Sequence, residues 1–310
     1  MSELFETRMV YGDALLELGQ RRNDLVALDA DLYKSTRSIV YGESFPDRFF
    51  DLGIAEQDLV STAAGLAASG LIPYCNSFAI FLTGRCYDQI RTQVAYPALP
   101  VKLIGSSAGL TQGPDGATHQ SLEDISLMRG LPNMTVIVPA DDVETRQATI
   151  ASADIEGPVY MRLGRYPTPR LFGPEYQFKV GQPTRLRDGS DIVIFATGHM
   201  TAKALAAAEL LNNQNIQVRV VNVSTIKPLD REAVLGQLDG MRYAFTVEEH
   251  NIIGGLGSTI SEIIAESAQV PLRRLGVRDT FGESGTADEL LEKHGLQAEG
   301  IRTSIVETLT

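Results

Sequence analysis

The sequence is short of the features that mark nucleic-acid and membrane proteins. Basic residues are the minority, with 27 Lys and Arg against 39 Asp and Glu and a formal net charge of −12. Nucleic acid and anionic membranes both reward clustered Lys and Arg, so neither is expected as a partner. No window holds the roughly 18 apolar residues a membrane span needs. The opening MSELFETRMVYGDALLEL carries acids where a signal peptide carries bases and offers no small-residue cleavage site, so a cytoplasmic location is expected. Cysteine is scarce: Cys75 and Cys86 form neither a disulfide framework nor a paired zinc motif. With four histidines and no H-E-x-x-H, a metal site built by this chain is not expected. The G-x-G-x-x-G and G-x-x-x-x-G-K-[ST] loops are absent too. Gly254-Gly255-Leu256-Gly257 comes nearest, and its spacing fits a tight loop before a closely packed helix better than a phosphate cradle.

What remains is ordinary globular material, 44% hydrophobic and 21% charged. At ~150 residues per domain, 310 residues suggest two domains. Short, β-branched apolar runs predict strands at Leu25–Asp29, Pro73–Ser77, Val101–Gly105, Thr135–Pro139, Val159–Leu163, Ile192–Ala196, Val218–Val223, Ala244–Val247 and Leu272–Val277. Amphipathic stretches predict helices at Glu56–Ser69, Arg85–Ala95, Val143–Ala153, Thr201–Asn212, Gly257–Ser267 and Ala287–Lys293. Continuous apolar strands alternating with helices imply an α/β fold with mostly parallel sheets flanked by helices. Pro167, Pro169, Pro174 and Pro183 read as a linker, since proline cannot donate a ladder hydrogen bond. The expected domains are residues 1–175 and 176–310.

Three segments carry candidate chemistry. Glu56 opens a helix of small residues, where burial would raise a carboxyl pKa; from this segment alone, the better reading is a helix-start acid favoured by the macrodipole. Phe78 and Phe81 follow a strand end, where open α/β sheets place ligand loops, and could stack on a flat heteroaromatic ring. Asp115 and His119 lie on a Gly-Pro-Asp-Gly turn, suited to binding hydroxyls or moving protons.

Together these motifs resemble the C-terminal half of transketolase, a thiamine-diphosphate enzyme. The resemblance spans the whole chain: a pyrimidine-binding domain, then a transketolase C-terminal domain. It is carried by G-I-A-E-Q at Gly53–Gln57, the Phe78/Phe81 pair, D-G-A-T-H-Q at Asp115–Gln120 and L-P-N-M-x-V-x-x-P-A-D at Leu131–Asp141. Thr225–Asp230 and Val247–His250 with Gly254–Gly257 extend it into the second half. The resemblance implies that Glu56 contacts N1′ of the aminopyrimidine and stabilises its imino tautomer, and that Phe78 and Phe81 grip the ring. Asp31 matches an aspartate near the cofactor. His119 matches a substrate-binding histidine and Asp115 an aspartate reading a sugar hydroxyl. Arg8, Ser35 and Arg165 match contacts to substrate phosphate. Two positions depart: Ser107 replaces a histidine of the phosphate site, and Gly84 replaces a third ring-contacting aromatic.

The family holds the cofactor diphosphate through a divalent metal, Mg2+ or Ca2+, on a G-D-G…N motif of a separate N-terminal domain. No Gly-Asp-Gly occurs here, and a chain at −12 is poorly suited to a diphosphate without a metal. The resemblance therefore implies half of a split enzyme. An N-terminal subunit would supply the metal site, and pairing through the pyrimidine domain would give an α2β2 heterotetramer acting on sugars or sugar phosphates in carbohydrate metabolism. The alternatives are a 2-oxo acid dehydrogenase beta subunit, a deoxyxylulose-phosphate-synthase-like half, or an inactive regulatory subunit.

Overall fold

The computed structural model describes residues 3–310, and it builds two mainly parallel sheets. The first has seven strands, in the order Thr225–Lys227, Thr135–Ile137, Val159–Arg162, Lys102–Ser106, Ile72–Phe78, Leu25–Asp29 and Phe49–Asp51. All pair in parallel except the edge strand Thr225–Lys227, which runs antiparallel to Thr135–Ile137. The second has five, in the order Leu272–Val277, Tyr243–Asn251, Ile192–Ala196, Val218–Asn222 and an antiparallel Thr184–Arg187.

The strand sequences explain the layering. Leu25–Asp29 is buried throughout, as a strand covered on both faces must be. Successive residues point to opposite faces, so Leu25 and Ala27 join one core while Val26 and Leu28 join another. The first core contains Tyr11, Leu15 and Leu18 from the helix Thr7–Arg21 and Ala148 from Asp142–Ser152. The second contains Leu59, Val60, Ala63, Ala64 and Ala67 of Glu56–Ala68, and continues into Val193, Phe195, Val221 and Ile260 of the C-terminal half. Apolar burial at about 25 cal/mol per Å² makes this shared core a strong tie between the two sheets.

Some elements depart from the sequence expectation. The helices Thr7–Arg21 and Ala298–Leu309 lie outside the predicted set, and the expected helix at Arg85–Ala95 starts at Phe81 and is wound largely in wide π turns. Thr225–Lys227 leaves the second half of the chain to complete the first sheet. No helix among the described residues is long and apolar enough to cross a membrane.

Candidate active site

Parallel strands end on one edge of the seven-stranded sheet, the edge where open α/β sheets place their ligands. Every sequence-predicted site residue except Arg8 follows one of these strand ends. Asp31 and Ser35 lie beyond Leu25–Asp29, Glu56 beyond Phe49–Asp51, and Phe78 and Phe81 at the end of Ile72–Phe78. Asp115 and His119 lie beyond Lys102–Ser106, and Arg165 beyond Val159–Arg162.

Glu56 is the first residue of its helix and is 3% exposed. The sequence suggests an apolar surround; the structure instead puts a guanidinium on it. Arg85 Nη1 donates to both carboxylate oxygens, each at 2.8 Å. The Arg85 guanidinium also lies 4.7 Å from the centroid of the Phe81 ring, a cation–π distance. Phe81 stacks with Phe78, centroids 6.0 Å apart and planes inclined by 22°. His119 sits edge-on to Phe81 at 5.1 Å and to Phe78 at 6.3 Å. Glu56, Arg85, Phe81, Phe78 and His119 thus form one continuous wall. A Cβ built at Gly84 meets nothing within 4 Å, so the side of the wall expected to carry a third aromatic is open.

Polar contacts assemble the remaining candidates. Arg8 Nη1 donates to the Ser35 carbonyl at 3.0 Å, and its Nε donates to Glu6 at 2.7 Å. Its neighbour Thr7 exchanges hydrogen bonds with the Gly164 backbone, which brings Arg8 to the Arg165 loop. Arg165 and Asp115 stand 3.9 Å apart, each nearly half exposed, and Gln112 Nε2 donates to the Asp115 carboxylate. Ser107 is buried at a left-handed φ of 54°, and its hydroxyl has no hydrogen-bond partner.

Asp31 also has a left-handed φ, 59°. A non-glycine residue holds this conformation only when its surroundings enforce it. Here Asp51 accepts from the Asp31 and Gly53 amides, pinning the Asp31 loop to the turn before Glu56. Asp29 holds the other side of that loop, accepting from the Leu32 amide and the Thr36 and Ser38 hydroxyls. Burial outweighs these bonds and pushes the Asp29 carboxyl up to about 6. Sequence reasoning misses Arg85, Asp29 and Asp51. Arg85 directly follows the unusual Gly84, but no local pattern ties it to a glutamate 29 positions earlier.

The wall fits a flat heteroaromatic ring bearing a hydrogen-bonding nitrogen: two stacked rings, an open flank and a buried carboxylate. Among the described residues, no three His, Cys, Asp or Glu side chains converge as a candidate metal site. The loop Gly254–Gly257 is filled by its own chain, with Glu248 accepting from the Leu256 and Gly257 amides at 2.7 and 2.8 Å.

Residues 4–169 match the transketolase pyrimidine-binding domain, and residues 181–301 match the transketolase C-terminal domain. A 6-deoxy-6-sulfo-D-fructose transketolase subunit of a Clostridium species is 44% identical, covering 97% of this chain and 96% of its own length. One of the apulose-4-phosphate transketolase subunits of Phocaeicola vulgatus is 35% identical, covering 99% and 98%. A solved split-gene transketolase, described as an inactive beta4 tetramer, superposes with a TM-score of 0.91 at 46% identity over 98% of both chains. The chain is therefore a member of the transketolase family, carrying its pyrimidine-binding and C-terminal domains.

Proposed function

We propose that this chain is the C-terminal subunit of a split, thiamine-diphosphate-dependent transketolase. Residues 1–175 serve as the pyrimidine-binding domain and residues 176–310 as the C-terminal domain. The reaction moves a two-carbon ketol unit from a ketose to an aldose: the donor C2–C3 bond breaks and a new bond forms to the acceptor aldehyde carbon. The observation that carries the reading is the wall of Glu56, Phe81, Phe78 and His119, brought together from three separate loops.

In this reading Phe78 and Phe81 hold the aminopyrimidine and Asp31 lies beside the cofactor. Glu56 holds the proton at N1′. Both its oxygens already accept from Arg85, and each keeps a lone pair, so N1′ would share the carboxylate with the guanidinium. When bound, thiamine diphosphate supplies the carbon centre that carries the ketol unit. His119 and Asp115 bind sugar oxygens. Arg8, Arg165 and Ser35 meet an anionic group at the far end of the sugar, since guanidinium forks match phosphate and similar oxyanions. Relatives named for a sulfosugar and a sugar phosphate support an anionic terminus.

An N-terminal subunit with a G-D-G…N motif holds Mg2+ or Ca2+ and the diphosphate, and two copies of each subunit form an α2β2 assembly. The relative described as an inactive beta4 tetramer supports this division. Calorimetry and C2 hydrogen–deuterium exchange on the cofactor test it. This chain alone should bind thiamine diphosphate weakly and support no exchange, and adding the metal-holding subunit should restore both. Tight magnesium-dependent binding by this chain alone would overturn the split. Failure of the complete complex to turn over any ketose would favour an inactive regulatory subunit.

A further inference from the structure

Two buried glutamates stand side by side on the strand Tyr243–Asn251, and the proposed reaction uses neither. Successive strand residues face opposite ways. Glu248 turns into its own domain and caps the helix Leu256–Ser267. Glu249 turns toward the N-terminal domain, where its Oε1 accepts the Thr111 amide 138 positions away. The loop lies directly on this carboxylate: Gly109 has φ +86°, and a Cβ there would stand 2.3 Å from the Glu249 carboxyl carbon.

The carboxylate is itself held in place. Arg162, buried in the N-terminal domain, donates to the Glu249 backbone carbonyl at 2.9 Å and to Asp124 at 2.9 Å. Arg162 Nη1 and His199 Nδ1 stand 3.9 and 3.5 Å from Oε2, which has no hydrogen-bond partner. The segment that begins at Gly109 runs on to Asp115 and His119. At its far end Gln120 Nε2 donates to the Glu283 carbonyl at 2.8 Å, a second anchor on the C-terminal domain.

We propose that Glu249 is a positioning residue: through its bond to the Thr111 amide, the C-terminal domain sets the loop that presents Asp115 and His119 to the sugar. The proposal rests on the reading of those two residues as substrate contacts. Glu249 is not among the proposed substrate or cofactor contacts, so its loss acts on sugar binding through Asp115 and His119 and leaves Glu56, Phe78 and Phe81 in place.

The test compares Glu249→Leu with Glu249→Gln, which keeps an acceptor. In the full chain, hydrogen exchange of the Thr111 amide should speed up by at least about tenfold in the leucine variant and largely recover in the glutamine variant. In the complete complex, the leucine variant should raise KM for donor and acceptor sugars by about tenfold or more, with cofactor Kd within about twofold of the parent. Unchanged exchange overturns the anchor. Equal losses in sugar and cofactor affinity make Glu249 a general prop and overturn the positioning role. If the parent complex turns over no sugar, the functional reading fails, while the exchange arm still decides whether Glu249 holds the loop. Should Glu249→Leu not fold, Glu249→Asp, which retracts the carboxylate by one methylene, replaces it.

Discussion

Glu56 and Glu248 are both buried carboxylates at the N-terminus of a helix, and their surroundings differ completely. Glu248 accepts from two backbone amides that belong to the helix it caps, and burial pushes it up to about 7. Neither amide can leave without unwinding the helix. Glu56 faces one guanidinium whose side chain is 49% exposed. A carboxylate closed off by backbone is structural, and one covered by a half-exposed side chain stays open to a further partner. A buried glutamate facing a helix start thus serves two purposes.

The largest break in this comparison should come from Glu56→Gln in the complete complex. A positioned proton-transfer group contributes about 10²–10⁴-fold, so kcat should fall by that order while folding stability moves by about 1 kcal/mol or less, given the half-exposed Arg85 partner. An unchanged rate of C2 exchange on the cofactor would remove Glu56 from its role. Glu248→Ala should do the reverse. It deletes two amide bonds to a carboxylate, and at ~1.5–3 kcal/mol each the urea midpoint should show a loss of about 3 kcal/mol or more. A midpoint shift of less than about 1 kcal/mol would mean that the helix caps itself.

Arg165→Ala and Arg8→Ala sharpen the contrast between accessible and sealed charges. Both residues are partly exposed. Each variant should lose roughly tenfold or more in kcat/KM with sugars carrying a terminal anion, and much less with the neutral sugars. Charge-assisted bonds of ~1.5–3 kcal/mol set that scale. Equal losses on both sugars would make the arginines structural ion pairs.

The smallest expected effect is on pH dependence. Glu248 has a folded pKa of about 7 against an ordinary 4.5, so the native state holds its proton longer than the unfolded chain does. Its contribution to stability is full below about pH 4.5 and is lost as pH rises toward about 7. Glu144 and Glu249 act in the same direction, also at about 7. His199, pushed down to about 3 by burial, and His250, to about 4, oppose them by losing stability as pH falls below 6.5. Glu248→Gln should therefore flatten the fall in stability between pH 5 and pH 7.5. An unaltered slope in denaturation curves across that range would show that Glu248 is ionised throughout.

Much of this architecture is legible along the chain. Leu25–Asp29 and Ile192–Ala196 occur with the bounds their apolar runs predict, because a strand buried on both faces leaves a pattern no loop shares. The edge strand Leu272–Val277 also keeps its predicted bounds although Arg273 is exposed. The helix Thr7–Arg21 is hidden by Gly12 and Gly19, which look like breaks. Both are packing sites: a Cβ at Gly19 would come within 2.5 Å of the Tyr41 ring. Thr225–Lys227 sits in a motif of the second half but pairs with the first sheet, a choice made by the antiparallel edge at Thr135–Ile137.

The family resemblance and the site candidates come from the order and spacing of short motifs, which are local properties of the chain. So does the α/β class, since side-chain periodicity is set by backbone geometry within each element. Which groups share a hydrogen bond is another matter. Arg85 on Glu56, Thr7 on Gly164 and Glu249 on Thr111 join positions 29, 157 and 138 residues apart. No spacing rule reaches that far. Only the packing of one sheet against the other puts a C-terminal carboxylate under the loop that carries Asp115 and His119, because contact energies act over a few ångströms of space whatever the distance along the chain.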